Sequence, residues 1–367
     1  MMKSTLSLLL RNQNRISNVK NVYTYSTSSS LVNTNNNVNG YMRTFSTAAS
    51  PAAEIKVPVP LIQELRKKTS APITDCKKAL QASENDMDKA IAWLLEKGKA
   101  TAVKLSNRVS YEGVISVFVN NNKGMILEVN SETDFVSRGE TFRQLVGDIS
   151  SLTVESGAAL KGNNDKIADV SVEELGRQTI SLDNETVSVQ EAFVRTVAKL
   201  RENLIMRRAS GIQATNPHTV IAGYAHDPNG TKKFGRLGSL VSIEYENNSN
   251  IDLAAIKAFA DQIAVHIVGV GPSFVSIQDV PEEMLEECKK NKRHPNGLYD
   301  EVVLLEQKFI SGEEGESVKE AVDRYSKQLG TNLTVKSFVR YAVGEGMEKK
   351  EENYAAEVME KLNATKK

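Results

Sequence analysis

Apolar and polar positions along this chain follow two different periods, and the switch between them marks its organisation. After Pro58 the period is helical. Leu61, Ile62 and Leu65 form one apolar face, ended by Lys67-Lys68-Thr69-Ser70. A second helix opens at Pro72, whose fixed φ and missing N–H suit a first turn, and carries Cys76, Ala79 and Leu80. In a third, Met87, Ala90, Ile91, Leu94 and Leu95 recur at i, i+3, i+4, i+7 and i+8, with Asp86 as N-cap and Gly98 as the C-terminal stop. From Gly113 the period falls to two: "GVISVFVN", a turn at Asn121-Asn122-Lys123-Gly124, then "MILEVN", a hairpin of half-buried strands. A helix with Phe142, Leu145, Val146 and Ile149 on one face follows.

That order recurs. "TVIAGYA", a turn-rich "HDPNGTKKFGR" and "LGSLVSIEYE" form a second hairpin, followed by a helix bearing Ile256, Ala260, Ile263 and Ile267. Between the copies, Phe193, Val197, Leu200 and Leu204 read as a helix running into "RENLIMRRA", and the polar stretch from Gly157 to Asp183 reads as a surface excursion. The second copy continues with "VVLLEQKFI" as a strand, a helix through Val318, Val322, Tyr325 and Leu329, and a last strand "LTVKSFVRY". After a glycine hinge, "VGEGMEKKEENYAAEVMEKL" ends in a charged helix with Tyr354, Val358 and Leu362 on one side. Two antiparallel sheets, each with one apolar face for its helix to cover, predict an α+β fold: a three-helix N-terminal domain, two related sheet-plus-helix subdomains and a C-terminal helix.

Composition narrows the class. With 367 residues, 40% of them hydrophobic, the chain is long enough for two or more domains. Lys+Arg and Asp+Glu both number 46, so no overall basic field points to nucleic acid. The balance hides an asymmetry: Lys3, Arg11, Arg15, Lys20 and Arg43 all precede the first acid, Glu54, in a Ser-, Thr- and Asn-rich stretch. A basic, acid-free start with a short apolar run at Leu6 to Leu10 reads as a mitochondrial transit peptide over 1–47, drawn inward by the membrane potential. No run of about 18 apolar residues is present, so the mature protein is expected to be soluble. Cys76 and Cys288 are too few for a disulfide framework.

Several chemistries lack their residues. There is no G-x-x-x-x-G-K-[ST] loop, and Gly269-Val270-Gly271 runs into Pro272, so no nucleotide site of the chain's own is expected. His218, His226, His266 and His294 are scattered without ligand spacing, so neither metal nor other cofactor is expected. Lys289, Lys290, Lys292 and Arg293, beside Glu286 and Glu287, read as a solvated face rather than an RNA contact.

The segment "LIQELRKKTSAPITDCKKALQASENDMDKAIAWLLEKG" resembles the ubiquitin-associated-like head of translation elongation factor Ts, and "RENLIMRRA" and the closing "VGEGMEKKEENYAAEVMEKL" are similar to that family's wording. The resemblance implies a head at 56–100, core subdomains at 107–211 and 212–344, and a C-terminal helical module at 345–367. Long bacterial members insert a coiled-coil hairpin where Pro281 to Asp300 leaves about twenty residues, so that hairpin's contacts are in doubt here.

Within "NSETDFVSR", Phe135 stands among Ser131, Glu132, Asp134 and Arg138. On the residues alone two placements are open. Phe135 and Phe142 are seven apart and share a face if the helix begins early; alternatively, the ring lies on a polar surface turn and awaits a partner. The second copy has "NNSNIDLAAIKAF" there and no equivalent ring. The resemblance implies that Thr133, Asp134, Phe135 and Val136 form the element inserted into the nucleotide domain of elongation factor Tu. It also implies a guanine-nucleotide exchange factor of the mitochondrial matrix, acting on the GDP-bound and nucleotide-free partner without covalent chemistry, membrane or nucleic acid. A ubiquitin-type adaptor, suggested by the head alone, is the alternative. If the leader is removed, N-terminal sequencing of protein isolated from mitochondria should begin within several residues of position 48; an intact Met1 would overturn the transit-peptide reading.

Overall fold

In the computed structural model, which describes residues 55–160, 165–182, 185–227, 231–246, 251–291 and 294–347, the helical period after Pro58 becomes α1 (Val59–Thr69), α2 (Ile73–Ala82) and α3 (Met87–Leu105). The expected leader at 1–47, the closing helix with Tyr354, Val358 and Leu362, and the basic pair Lys292 and Arg293 lie outside the described residues. By contacts the chain divides into two units. One joins the described chain up to Arg108 with Gly176–Leu204; the other joins Val109–Leu175 with the chain from Ile205 onward.

In the helical unit, Leu65, Cys76, Ala79, Leu80 and Ala90 are fully buried and form the core of the three helices. Asp86 caps α3 by accepting from the Lys89 N–H at 3.0 Å. Gly98 does not stop α3, which continues for two further turns to Leu105. A methyl group at Gly98 would come to 3.3 Å from Val194 Cγ1, so the glycine is a point of close approach rather than a cap. Strands β4 (Thr179–Leu182) and β5 (Glu185–Ser188) form a hairpin leading into α7 (Val189–Leu200), capped by Ser188. The expected helix through Leu204 ends earlier, at Arg201, which takes the left-handed conformation at φ 59°.

In the other unit, β1 (Glu112–Asn120) and β2 (Lys123–Ser131) pair as an antiparallel hairpin across Asn121 and Asn122, with Asn121 at φ 51°, a conformation asparagine tolerates. The segment that the expected helix runs into, "LIMRRA", opens strand β6 (Ile205–Gln213), hydrogen-bonded to β2 on one side and β3 (Ala168–Val170) on the other. That pairing satisfies its backbone in a way a helix there would forgo. The described part of the stretch from Gly157 to Asp183 is likewise no surface excursion: Ala159, Leu160, Val170, Leu175 and Ile180 are buried, and α6 (Val172–Arg177) follows β3. The sheet order is β3-β6-β2-β1-β8, with β8 (Phe234–Gly235) at its edge.

The second sheet, β10-β9-β7, repeats the arrangement with β7 (Thr219–Ala225), β9 (Leu237–Tyr245) and β10 (Leu333–Ala342). Strands β7, β9 and β10 thus stand to one another as β1, β2 and β6 do. Ile115, Val117, Ile126, Ile212, Ile221, Leu240 and Tyr341 fill the layer between the sheets. The approach is close, for a methyl group at Gly124 would meet Ile221 at 2.7 Å and one at Gly238 would meet Ile115 at 2.7 Å. Each sheet's other face is covered by a helix. On the first it is α5 (Glu140–Ser156), with Phe142, Leu145, Val146 and Ile149 buried, and on the second α8 (Leu253–Val270), with Ile256, Phe259, Ala260, Ile263 and Ile267 buried. By length and composition α8 passes for a membrane span, yet this buried face packs on β7 and β9.

The segment expected as a strand, "VVLLEQKFI", closes α10 (Pro295–Val302) and then forms a single 3-10 turn at Leu304–Glu306. In place of a strand ladder it has isolated bridges, Phe274 with Val303 and Lys308 with Ser317. Together with α9 (Glu282–Lys290), α10 encloses a small core of Val280, Met284, Cys288, Leu298, Val302 and Val303 where long relatives were expected to carry a coiled coil. Helix α11 (Val318–Leu329) precedes β10 as expected.

His266 on α8 is fully buried. Its Nδ1 accepts the Ile310 N–H at 3.3 Å, so Nε2 carries the proton and donates to Gln307 Oε1 at 3.1 Å. Burial lowers its pKa, against the opposing pull of the Gln307 bond. The folded state therefore takes up this proton less readily than the unfolded chain, whose histidine titrates near 6.5. The group's contribution is complete above about pH 6.5 and is lost as pH falls below it, by at most about 1.4 kcal/mol per pH unit. Urea unfolding at about pH 7.5 and about pH 5.5 should show this loss, and His266→Leu should show a smaller one. Equal losses in the two proteins would contradict it.

Candidate functional site

β2 ends at Ser131, and the next residues turn the chain outward. Ser131 Oγ donates to the Thr133 carbonyl at 2.9 Å, and Thr133 Oγ1 accepts the Val136 N–H at 3.4 Å. Thr133 is thereby the N-cap of α4 (Asp134–Arg138), a helix of little more than one turn. Ser137, buried, bonds back through its hydroxyl to the Asp134 carbonyl at 3.0 Å. At the far end the Gly139 N–H reaches the Val136 carbonyl at 2.9 Å, while Arg143 Nε donates to the Ser137 carbonyl at 3.4 Å.

These bonds hold a turn whose central ring touches little of its own chain: Phe135 is 84% exposed. Of the two placements left open by the residues, the inward one is excluded. Gly139 is extended, at φ −67° and ψ 142°, and breaks the helix between Phe135 and Phe142. The seven-residue spacing therefore does not bring the two rings to one face, and Phe142 alone is buried. Thr133, Asp134 and Val136 are all half-buried, and the Asp134 carboxylate stands 3.2 Å from Arg138 one helical turn on. An exposed pair of this kind contributes little stability.

No His, Cys, Asp and Glu cluster able to hold a metal occurs among the described residues. The sequence reading missed the residues beneath the site. Glu128, three residues before Ser131, is fully buried and bonded to Arg207 and Arg208. A single acid inside the apolar run "MILEVN", and two arginines in "LIMRRA", were the available signals; with no strand assigned to the latter, their pairing stayed hidden.

Removing an exposed ring should leave the fold intact. Phe135→Ala is expected to shift unfolding free energy by less than about 0.5 kcal/mol, whereas Phe142→Ala should cost about 3 to 5 kcal/mol. Urea denaturation decides, and a large loss in Phe135→Ala would show that the ring supports its own fold.

Comparison with known proteins reaches both units. The family model described as "Elongation factor TS" matches residues 132–296, and that described as "Elongation factor Ts, mitochondrial, N-terminal" matches residues 47–102. The chain is 57% identical over 316 residues to a protein of Heterostelium pallidum named mitochondrial elongation factor Ts, covering 86% of this chain and 87% of that one. It is 48% identical over 315 residues to the protein of that name from Dictyostelium discoideum, covering 81% and 88%. To elongation factor Ts of the bacterium Rhodospirillum centenum it is 34% identical over 323 residues, covering 81% and 96%. On matches that run through the helical head and the paired sheets alike, the chain belongs to the elongation factor Ts family.

Proposed function

We infer that this chain is the guanine-nucleotide exchange factor that binds elongation factor Tu and promotes GDP release during translation elongation in the mitochondrion. The observation that carries the site is Phe135, an aromatic ring 84% exposed on a capped and tethered turn. A rigid aromatic ring held outward in this way offers a large apolar contact at little entropic cost to a partner that covers it. In this reading Phe135 enters the nucleotide domain of elongation factor Tu, with Thr133 and Val136 shaping the turn and Asp134 beside it at the contact. The alternative, an adaptor of the ubiquitin-binding kind, drew on the helical head alone and leaves the match over 132–296 without a role.

The mechanism is thermodynamic linkage. A protein that binds the empty GTPase more tightly than the GDP-bound form weakens GDP by the same factor. No bond is made or broken, and the chain binds no nucleotide, membrane or nucleic acid of its own. Burying one aromatic side chain yields roughly 1.5 to 3 kcal/mol, which is about one to two decades of affinity. A larger acceleration draws on further contacts, for which the helical head and the segment beyond Met347 are the candidates. The two copies at 107–211 and 212–344 serve as the frame; their matching strand orders support that division, and only the first carries the ring.

Release of fluorescent GDP from elongation factor Tu, followed with and without the chain lacking residues 1–47, tests the reading. The chain should accelerate release, and Phe135→Ala should lower its effectiveness by about one to two decades. No acceleration by the parent protein would remove the exchange-factor reading; an undiminished Phe135→Ala would remove only the role of the ring.

A further inference from the structure

Glu128 sits in the middle of β2 with no exposed surface. A carboxylate so placed costs several kcal/mol to desolvate unless neighbours answer its charge and lone pairs. Four groups do. Arg207 Nη1 donates to its two oxygens at 2.9 and 2.8 Å, Arg208 Nε to Oε2 at 2.6 Å, Asn130 Nδ2 to Oε1 at 3.2 Å, and the Gly344 N–H to Oε1 at 2.8 Å. Consecutive side chains on a regular strand point to opposite faces, so Arg207 and Arg208 would not ordinarily share a partner. A β-bulge resolves this: the ladder passes from Glu128 opposite Arg208 to Val129 opposite Met206, leaving Arg207 as the extra residue.

The network runs in two directions from the carboxylate. Toward the end of the described chain, Arg208 Nη2 donates to the Ala342 carbonyl at 3.1 Å and to the Glu345 carboxylate at 3.2 Å, and Arg207 donates to the Glu345 carbonyl. Arg340 stands 3.5 Å from the same Glu345 carboxylate, and the Arg208 guanidinium lies 4.0 Å over the ring of Tyr341. Burial works against the Arg208 charge, but Glu128, Tyr341 and Glu345 together outweigh it, so the guanidinium is held above its ordinary pKa. Gly344, at φ +73°, and Gly346, at φ +75°, turn the chain here. Toward the other side, Asn130 Nδ2 also donates to the Glu112 carbonyl at 3.1 Å, and Glu112 is the ladder partner of Ser131, the residue that fastens the Phe135 turn. The two ends adjoin: a methyl group on Gly344 would come to 3.1 Å from the Tyr111 carbonyl oxygen.

We propose that Glu128 is a positioning residue, which holds the Phe135 turn and the turn at residues 342–347 in one fixed arrangement at the same end of the sheets. Apolar residues of similar volume generally stabilise a core as well as a buried ion cluster does, so stability alone does not account for this one. What the cluster adds is directional: five hydrogen bonds on one carboxylate fix where two chain segments lie. A ring delivered in a preset place binds without the entropic cost of ordering its loop. The consequence for partner binding rests on the reading of Phe135 as the contact, whereas the geometric claim stands on the free protein.

Hydrogen exchange followed by mass spectrometry on the full chain tests it. In Glu128→Gln, segments 131–139 and 342–347 should both exchange at least about tenfold faster, a loss of roughly 1.4 kcal/mol of local protection. Strand β9 and helix α8 should keep wild-type rates. Loosening of 342–347 alone, or of the whole unit equally, would overturn the proposal. Should Glu128→Gln fail to fold, Asn130→Ala removes only the link to Glu112 and Glu128; wild-type exchange at 131–139 in that variant would overturn it too. In GDP release from elongation factor Tu, Glu128→Gln should raise the half-saturating concentration of the parent but have little further effect on Phe135→Ala. An equal fold-increase in both backgrounds would show that Glu128 does not act through the ring. If the parent protein does not accelerate release at all, the proposed function fails, and the exchange data still decide the positioning role.

Discussion

The face-to-face meeting of two antiparallel sheets is the constraint on which the sheet unit depends. Ile115, Val117 and Ile126 on one side and Ile221 and Leu240 on the other fill a single apolar layer. Gly124 and Gly238 let the sheets close to a distance at which a methyl group would collide. Because side chains alternate along a strand, this layer fixes the register of β2. Met125, Leu127 and Val129 turn to the helix side, while Ile126, Glu128 and Asn130 turn inward between the sheets. With β2 fixed, its last residue, Ser131, is fixed as well. The Phe135 turn begins from that point.

Duplication explains what the two halves share, and the site lies in what they do not. Each half pairs a hairpin with a third strand and covers the outer face with a helix. The first inserts a short capped helix and the break at Gly139 between hairpin and covering helix; in the second, the covering helix begins at Leu253, capped by Asp252. The extra turn packs against β1 and β2 through its base and places an aromatic ring in solvent. That exposure of apolar surface is what the proposed contact with elongation factor Tu would cover.

Much of this was legible in the residues. Asn121 and Asn122 between alternating runs marked the first hairpin, and the apolar spacings on α5 and α8 marked the helices that cover the sheets. The errors have physical sources. Gly98 reads as a stop, but in α3 it is where Val194 comes close. The helix expected through Leu204 left "LIMRRA" without an assigned strand, yet tertiary pairing with β2 and β3 makes it one; the duplication itself could have exposed this, since "LTVKSFVRY" holds the equivalent place in the second half. The spacing of Phe135 and Phe142 left both orientations open because one extended glycine decides between them. Glu128 was invisible as a hub, since apart from Asn130 its partners lie about 80 and 216 residues away in the chain.

The central claim is that the exposed ring discriminates an empty GTPase from a filled one. The direct measurement is the affinity of this chain, with and without Phe135→Ala, for nucleotide-free and for GDP-bound elongation factor Tu. The substitution is predicted to weaken binding to the empty form by about one to two decades and binding to the GDP form far less, so that the preference between them shrinks. An equal loss against both forms would mean that the ring merely adds affinity, and linkage through Phe135 would then not explain how GDP is released.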